Sequence, residues 1–384
     1  MTERLYYTDC YLHEFQSRVV ETADEGRRVY LDRTVFYPTS GGQPFDLGTL
    51  NGSAVREVID EDGRIAHVIE TALTVTEVLG RIDWSRRFDH MQQHTGQHLL
   101  SAVLVELYGI QTLSFHMGEA ASTIELGTAN LDPGRIERTE EYCAEIVAQA
   151  RPVAITFEHS TSELGLRKAS ERTGELRIVS IEGLDRSACG GTHVRSTAEI
   201  GTILIRKLDK VRDNVRLEFV CGLRALRQAR RDFRTLAEIG GALSVAFEDA
   251  PAAVKAQAAK VKAIEKTCQR LAVELAQREG RELYAATSPD DQGVRRVTER
   301  GPIDDAMRAR AQAFVSGSKS SFLALSEDPP SLLLAVSADS GIHAGERVRA
   351  AVTAAGGRGG GNQTLAQGSV PSAALLQSVA ASFL

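Results

Sequence analysis

Over the first 84 residues apolar and polar positions alternate in short β-branched and aromatic runs, among them RRVYLDRTVFY and AHVIETALTVTEV. Turn signals at TSGGQP, LNGS and DEDG separate them. Short strands with regular turns predict a small β-barrel. The period then changes. Ser85 is a residue type that caps helices. Behind it RRFDHMQQHTGQHLLSAVLVELY places Leu100, Val103, Leu104 and Leu107 on one stripe until Gly109 ends it, so a long helix is expected.

Between Gly109 and Cys221 the pattern mixes both periods. Strand-like TLSFHMGEAASTIEL precedes a helix, IERTEEYCAEIVAQA, opened by Pro133, and strands follow around PVAITFEH, LRIVSIEGL, GTILIRKL and VRLEFV. This order predicts helices packed on a mostly antiparallel sheet. From Gly222 to Gly280 no strand pattern occurs. Its second half, opened by Asp249 ahead of Pro251, repeats Val254, Val261, Cys268 and Leu275, with Ile264 and Leu271 between them, at a spacing suited to a helical hairpin or short coiled coil. That stripe is a candidate homodimer seam, with intramolecular packing as the alternative. The last hundred residues read as an α/β unit: strands SFLALSE and SLLLAVSAD, a helix GERVRAAVTAA, and the glycine cluster GGRGGGNQTLAQGS. The expected fold is α+β multidomain: a small barrel over 1–84, an α+β domain over 85–221, a helical linker over 222–282 and a glycine-rich α/β domain over 283–384.

Composition narrows the class. A hydrophobic fraction of 42% with 25% charged residues suits a globular protein with a buried core. No run approaches the roughly 20 apolar residues of a membrane span, and MTERLYYTDC lacks the apolar core of a secretory signal, so no membrane partner and a cytoplasmic location are expected. Five scattered cysteines argue against a disulfide framework. Cys10, Cys143, Cys221 and Cys268 read as small buried side chains. The net charge of -6 opposes wholesale coating of nucleic acid, although Ile205 to Arg234 is locally basic.

The candidate chemistry lies in two short strings. His94 and His98 stand four apart on the expected helix, so both rings leave one face. Downstream, SACGGTHV sets Cys189 and His193 around a Gly-Gly turn. Imidazole and thiolate together suit one tetrahedral Zn2+ per chain. The residue after His94 is not Glu, which excludes the zinc-protease signature. His13, His67, His159 and His343 have no partner that spacing can name.

HTGQHLL followed by CGGTH resembles the editing domain of alanyl-tRNA synthetases, of the free-standing AlaX trans-editing proteins and of threonyl-tRNA synthetases. FYPTSGGQPFDLGTL is similar to the barrel motif of the alanine branch, LSFHMGEAASTIEL to the strand lining its pocket, and GGRGGGNQTLAQG to the end of the DHH-associated domain. Together they resemble the long AlaX form, with 85–221 as the zinc-binding editing domain and 283–384 as the DHH-associated domain. No Asp-His-His motif occurs, and no aminoacylation domain is expected.

The resemblance implies hydrolysis of Ser-tRNA(Ala), and of Gly-tRNA(Ala), by a zinc-dependent deacylase, against the alternative of a non-catalytic tRNA-binding module with a structural zinc. It implies His94, His98, Cys189 and His193 as ligands. Ser114, His116, Gln97 and Gln43 are its catalytic or pocket candidates, Gln97 standing where synthetases often carry Thr. Arg206, Lys207, Lys210, Arg212 and Arg358 are candidates for tRNA(Ala) phosphates.

Overall fold

Strands that alternate at period two have one apolar face, and a sheet closed on itself buries that face without leaving an edge. In the computed structural model, which describes residues 1–160, 164–171 and 173–383, β1 (Glu3–Arg4) pairs with a later short strand, and six others close into a barrel. These are β2 (Glu14–Ala23), β3 (Arg28–Leu31), β5 (Gly48–Leu50), β6 (Ser53–Glu61), β7 (Arg64–Ile69) and β8 (Glu77–Ile82), in the order β2-β3-β7-β6-β5-β8. The partner of β1 is β4 (Arg33–Thr34), in parallel register. Phe15, Leu31, Phe36, Leu50, Val58 and Ile65 fill the interior. Between β4 and β5 the GGQP turn projects from the barrel, with Gly41 and Gly42 at φ 56° and 81°, conformations that favour glycine.

The long helix α1 (Trp84–Tyr108) starts one residue before the expected cap. Asp83, not Ser85, accepts the Arg86 N–H at 3.1 Å, and Gly109 closes the helix at φ 67°. Its apolar stripe packs against α2 (Pro133–Ala148), which Asp132 caps. Two antiparallel sheets complete this part of the fold. β9 (Thr112–Met117), β10 (Ser122–Leu126), β14 (Ile203–Val211) and β15 (Asn214–Cys221) run in the order β14-β15-β10-β9. The other sheet holds β11 (Val153–His159), β12 (Glu175–Ile181) and β13 (Asp185–Ala188).

Barrel and helix are joined by a buried charge. Arg87 of α1, fully buried, pairs with the carboxylate of Asp46 beyond the GGQP turn and donates to the carbonyl of Cys10 at 2.9 Å and to that of Val35. Each member satisfies the other, as a buried ion pair requires.

The chain divides into two units, Met1–Glu238 and Ile239–Leu384, with α3 (Gly222–Leu243) running from one into the other. In the second unit, α4 (Ala250–Ala286) leads to β16 (Arg295–Arg300), α5 (Asp305–Phe314), β17 (Ser320–Glu327), β18 (Pro330–Val336), α6 (Ala344–Ala354), β19 (Arg358–Gly361), β20 (Leu365–Ser369) and α7 (Ala373–Ala381). The sheet order is β16-β17-β18-β20-β19. Its two faces bury separate cores, one with Val348 and Val352 of α6 and Leu376 of α7, the other with Phe314 of α5. The glycine cluster is the edge hairpin of this sheet. A Cβ at Gly359 would stand 2.9 Å from Val352 and one at Gly368 2.8 Å from it, so the missing side chains let α6 press onto the strands.

Cys10, Cys143 and Cys221 are buried, but Cys268 is exposed. It lies among the outward-facing residues Val261, Ile264, Leu271 and Leu275 of α4, where heptad spacing leaves an apolar face exposed among the described residues.

Candidate metal centre

Helical spacing sets His94 and His98 one turn apart on α1, with ring centroids 5.4 Å apart. Cys189 follows β13, and the Gly190–Gly191 turn returns the chain so that His193 comes back beside it. Arg177 of β12 clamps this turn: its guanidinium donates to the Cys189 carbonyl at 2.6 Å while its own carbonyl accepts the Cys189 N–H at 3.0 Å. A Cβ at position 191 would run into the His94 ring, which explains glycine there. The ligand atoms of His94, His98, Cys189 and His193 all lie within 4.8 Å of one another. Cys189 Sγ is 3.5 Å from His94 Nε2 and 3.3 Å from His193 Nε2.

The far side of each ring is anchored. Nδ1 of His94 meets Gln43 Oε1 at 2.9 Å, that of His98 meets Asp185 Oδ2 at 2.9 Å, and that of His193 meets Thr95 Oγ1 at 3.1 Å. An amide oxygen and a carboxylate only accept, and Thr95 Oγ1 already accepts the Val194 N–H at 3.2 Å. Nδ1 of His94 and of His98 is therefore a donor, while the Thr95 hydroxyl keeps a proton of its own and serves His193 in either tautomer. Asp185 is held in turn by Arg167 Nε at 2.7 Å.

Electrostatics act in opposite directions on these groups. Burial opposes the Cys189 thiolate, yet His94 and His193 outweigh it and hold the thiol well below its ordinary range. Burial also depresses His193, to about 3, with the charge of His94 adding to it. At His98 burial is overcome by Asp185 and Cys189, and the ring is pushed up to about 9. Three imidazole nitrogens and one thiolate, each oriented from behind, fit a divalent metal ion.

The cluster lies at a cavity of about 410 Å³. Tyr37 and Gly41 line it from the barrel side, Gln97 from α1, Ser114 from β9, and Arg167 and Lys168 from the segment before β12. Gln97 Nε2 donates to Ser101 Oγ at 2.8 Å, and Ser101 is 2.7 Å from Thr112 Oγ1.

His116 does not line this cavity. The expectation placed it over the site, but β9 turns the neighbouring residue, Phe115, onto His94, stacked at 5.3 Å, while His116 is exposed. His90, one turn before His94, is buried outside the cluster, and its Nδ1 has no partner among the described residues.

None of the five basic candidates is among the residues lining the cavity. Arg206 pairs with Asp232 and Lys207 with Asp209 at 2.9 Å. Lys210 and Arg212 are exposed at the β14–β15 hairpin, and Arg358 is exposed at the start of β19 in the second unit. Asp185, Thr95, Arg167 and Lys168 were not legible as site residues, since only the pairing of β12 with β13 and the packing of α1 bring them there. No described helix is long and apolar enough to cross a membrane.

Residues 176–217 match the family described as threonyl and alanyl tRNA synthetase second additional domain. The chain is 33% identical to alanyl-tRNA editing protein AlaX-L of Pyrococcus horikoshii, the alignment covering 96% of this chain and 95% of that one. It is 35% identical to AlaX-M of Methanosarcina acetivorans over 57% of this chain and 98% of the relative. Against the alanine--tRNA ligase of Pyrococcus abyssi the identity is 31%, over 96% of this chain and 42% of the ligase.

Proposed function

The chain belongs to the alanyl-tRNA editing protein family of aminoacyl-tRNA hydrolases, and from that premise we propose that it hydrolyses Ser-tRNA(Ala), and Gly-tRNA(Ala), in trans. The observation that carries this reading is a cavity of about 410 Å³ lined by His94, His98 and Cys189, three members of a four-donor cluster that His193 completes. A synthetase pocket shaped for alanine discriminates by only about 1–3 kcal/mol against a side chain that adds a hydroxyl or lacks a methyl, so a separate hydrolytic site must correct the error.

His94, His98, Cys189 and His193 would hold one Zn2+. Four protein donors fill a four-coordinate set, so the bound ion would supply a fixed positive charge and a rigid pocket floor. Water adds to the ester carbonyl, the tetrahedral oxyanion collapses, and the bond to the terminal ribose oxygen breaks as that oxygen takes a proton. Gln97 has its amide nitrogen committed to Ser101, which leaves its carbonyl oxygen to accept from a substrate hydroxyl or ammonium. Ser114 offers a hydroxyl from the facing wall.

Lys168, which has no ion pair among the described residues, takes a phosphate near the acceptor end. Lys210, Arg212 and Arg358 are exposed to take others, and Arg206 and Lys207 would exchange their carboxylates for phosphate. The division into barrel 1–84, editing domain 85–221, linker 222–282 and DHH-associated domain 283–384 belongs to the same reading, as do a cytoplasmic setting and a homodimer through the linker or the C-terminal domain.

The four-donor set also suits a tRNA-binding module with a purely structural zinc, and a deacylation assay separates the two. Purified chain is offered Ser-tRNA(Ala), Gly-tRNA(Ala), Ser-tRNA(Thr) and Ala-tRNA(Ala). Loss of the first two with survival of Ala-tRNA(Ala) is expected; survival of all four would leave only the binding module.

A further inference from the structure

Gln43 is fully buried at the tip of the barrel turn and touches both metal-bearing segments. Its Oε1 accepts from His94 Nδ1–H at 2.9 Å and from the Thr192 N–H at 3.1 Å, and its Nε2 donates to Thr192 Oγ1 at 2.8 Å. The backbone N–H of Thr192 can only donate, which fixes which end of the amide faces it. Both lone pairs of Oε1 are thus spent inside the protein, so the direct catalytic role expected from the sequence has no free acceptor to work with.

The turn is itself held in place. Gly42 accepts the Met117 N–H at 2.9 Å, and a Cβ on Gly42 would lie 2.7 Å from the Phe115 carbonyl oxygen. Phe115 stacks on the His94 ring. One face of this imidazole is therefore set by β9 and its Nδ1 edge by the barrel.

We propose that Gln43 is a positioning residue that fixes the tautomer and rotation of His94 from the barrel, so that the metal affinity of the site depends on the GGQP turn. The inference rests on the metal reading above. Without an acceptor at Nδ1 the ring is free to rotate or to carry its proton on Nε2, and either change removes a lone pair from the cluster.

The test uses the full chain, with Zn2+ affinity measured by chelator competition and the absorption spectrum of bound Co2+ as a second readout. Gln43→Met should weaken binding about 10–100-fold and alter the Co2+ bands. Gln43→Glu keeps an acceptor at Nδ1 and should restore affinity. Gln43→Asn, one methylene short of His94, should behave like Gln43→Met and replaces it if that variant does not fold. Ile65→Ala, which loosens the barrel core without touching His94, should lower the unfolding midpoint and leave affinity unchanged. Wild-type affinity in both Gln43→Met and Gln43→Asn, no recovery in Gln43→Glu, or an equal loss in Ile65→Ala would each overturn the proposal. A wild-type chain that takes up neither ion removes the metal reading itself, and this inference with it.

Discussion

Cys189 supplies the only formal negative charge among the four donors, so its removal should cost more than any change of shape. Cys189→Ala is expected to lose zinc, measured as metal content after dialysis, and Ser-tRNA(Ala) hydrolysis with it; loss of the metal with hydrolysis intact would make the ion dispensable to the reaction. A second residue, His67, gives the barrel a pH dependence. Its Nδ1 donates to the Val29 carbonyl at 3.1 Å and Thr34 Oγ1 lies 2.8 Å from Nε2, so the ring is satisfied as a neutral group. Burial holds it down to about 4, against 6.5 for an ordinary histidine. Between those values the unfolded chain takes up a proton that the folded barrel refuses. The contribution is complete above pH 6.5 and is lost as pH falls to about 4, by on the order of 3 kcal/mol. Urea unfolding of wild type and His67→Gln across that window should show a steeper pH dependence in wild type, and parallel profiles would remove the assignment. At this scale the His and Cys cluster was legible because i, i+4 spacing and a Gly-Gly turn are local patterns. Gln43, Asp185 and Thr95 act across 51, 87 and 98 residues, a separation at which no sequence period survives.

Among the elements, α1 shows where hydrophobic patterning stops working. Its stripe of Leu100, Val103 and Leu104 was readable, but Arg87, His90, Gln92 and Gln93 are equally buried, and a scan for apolar periodicity treats them as surface. Arg87 is the costly one. Arg87→Met leaves the Asp46 carboxylate buried without its counter-charge, and a loss of about 3–5 kcal/mol is expected in denaturant unfolding. Adding Asp46→Leu should recover most of it; equal instability of single and double variants would mean that the pair is not what joins helix to barrel. The same limit explains β9. LSFHMG was seen as a strand, but which of its side chains reach the cavity depends on how β9 runs beside α1: Ser114 and Phe115 line it and His116 does not.

For the whole molecule, the succession of barrel strands, mixed strands and helices, long helices and a final α/β sheet was readable because each segment has its own period and the turn strings separate them. What the chain does with its uncovered surface was not. The α4 stripe exposes Ile264, Leu271 and Leu275, each about half accessible, and a seven-residue repeat of that kind suits a second helix. Light scattering should find a dimer that Leu271→Asp with Leu275→Asp dissociates, and a monomer at all concentrations would assign the stripe elsewhere. The donors are also written far apart, with His94 and Cys189 separated by 95 residues. On the ribosome α1 therefore emerges with two histidines that have nothing to share an ion with until the CGGTH turn has left the exit tunnel. Under the proposed zinc reading, ion capture would come late in synthesis. Nascent chains stalled before Cys189 should retain no zinc, whereas those stalled well beyond Cys221 should hold it.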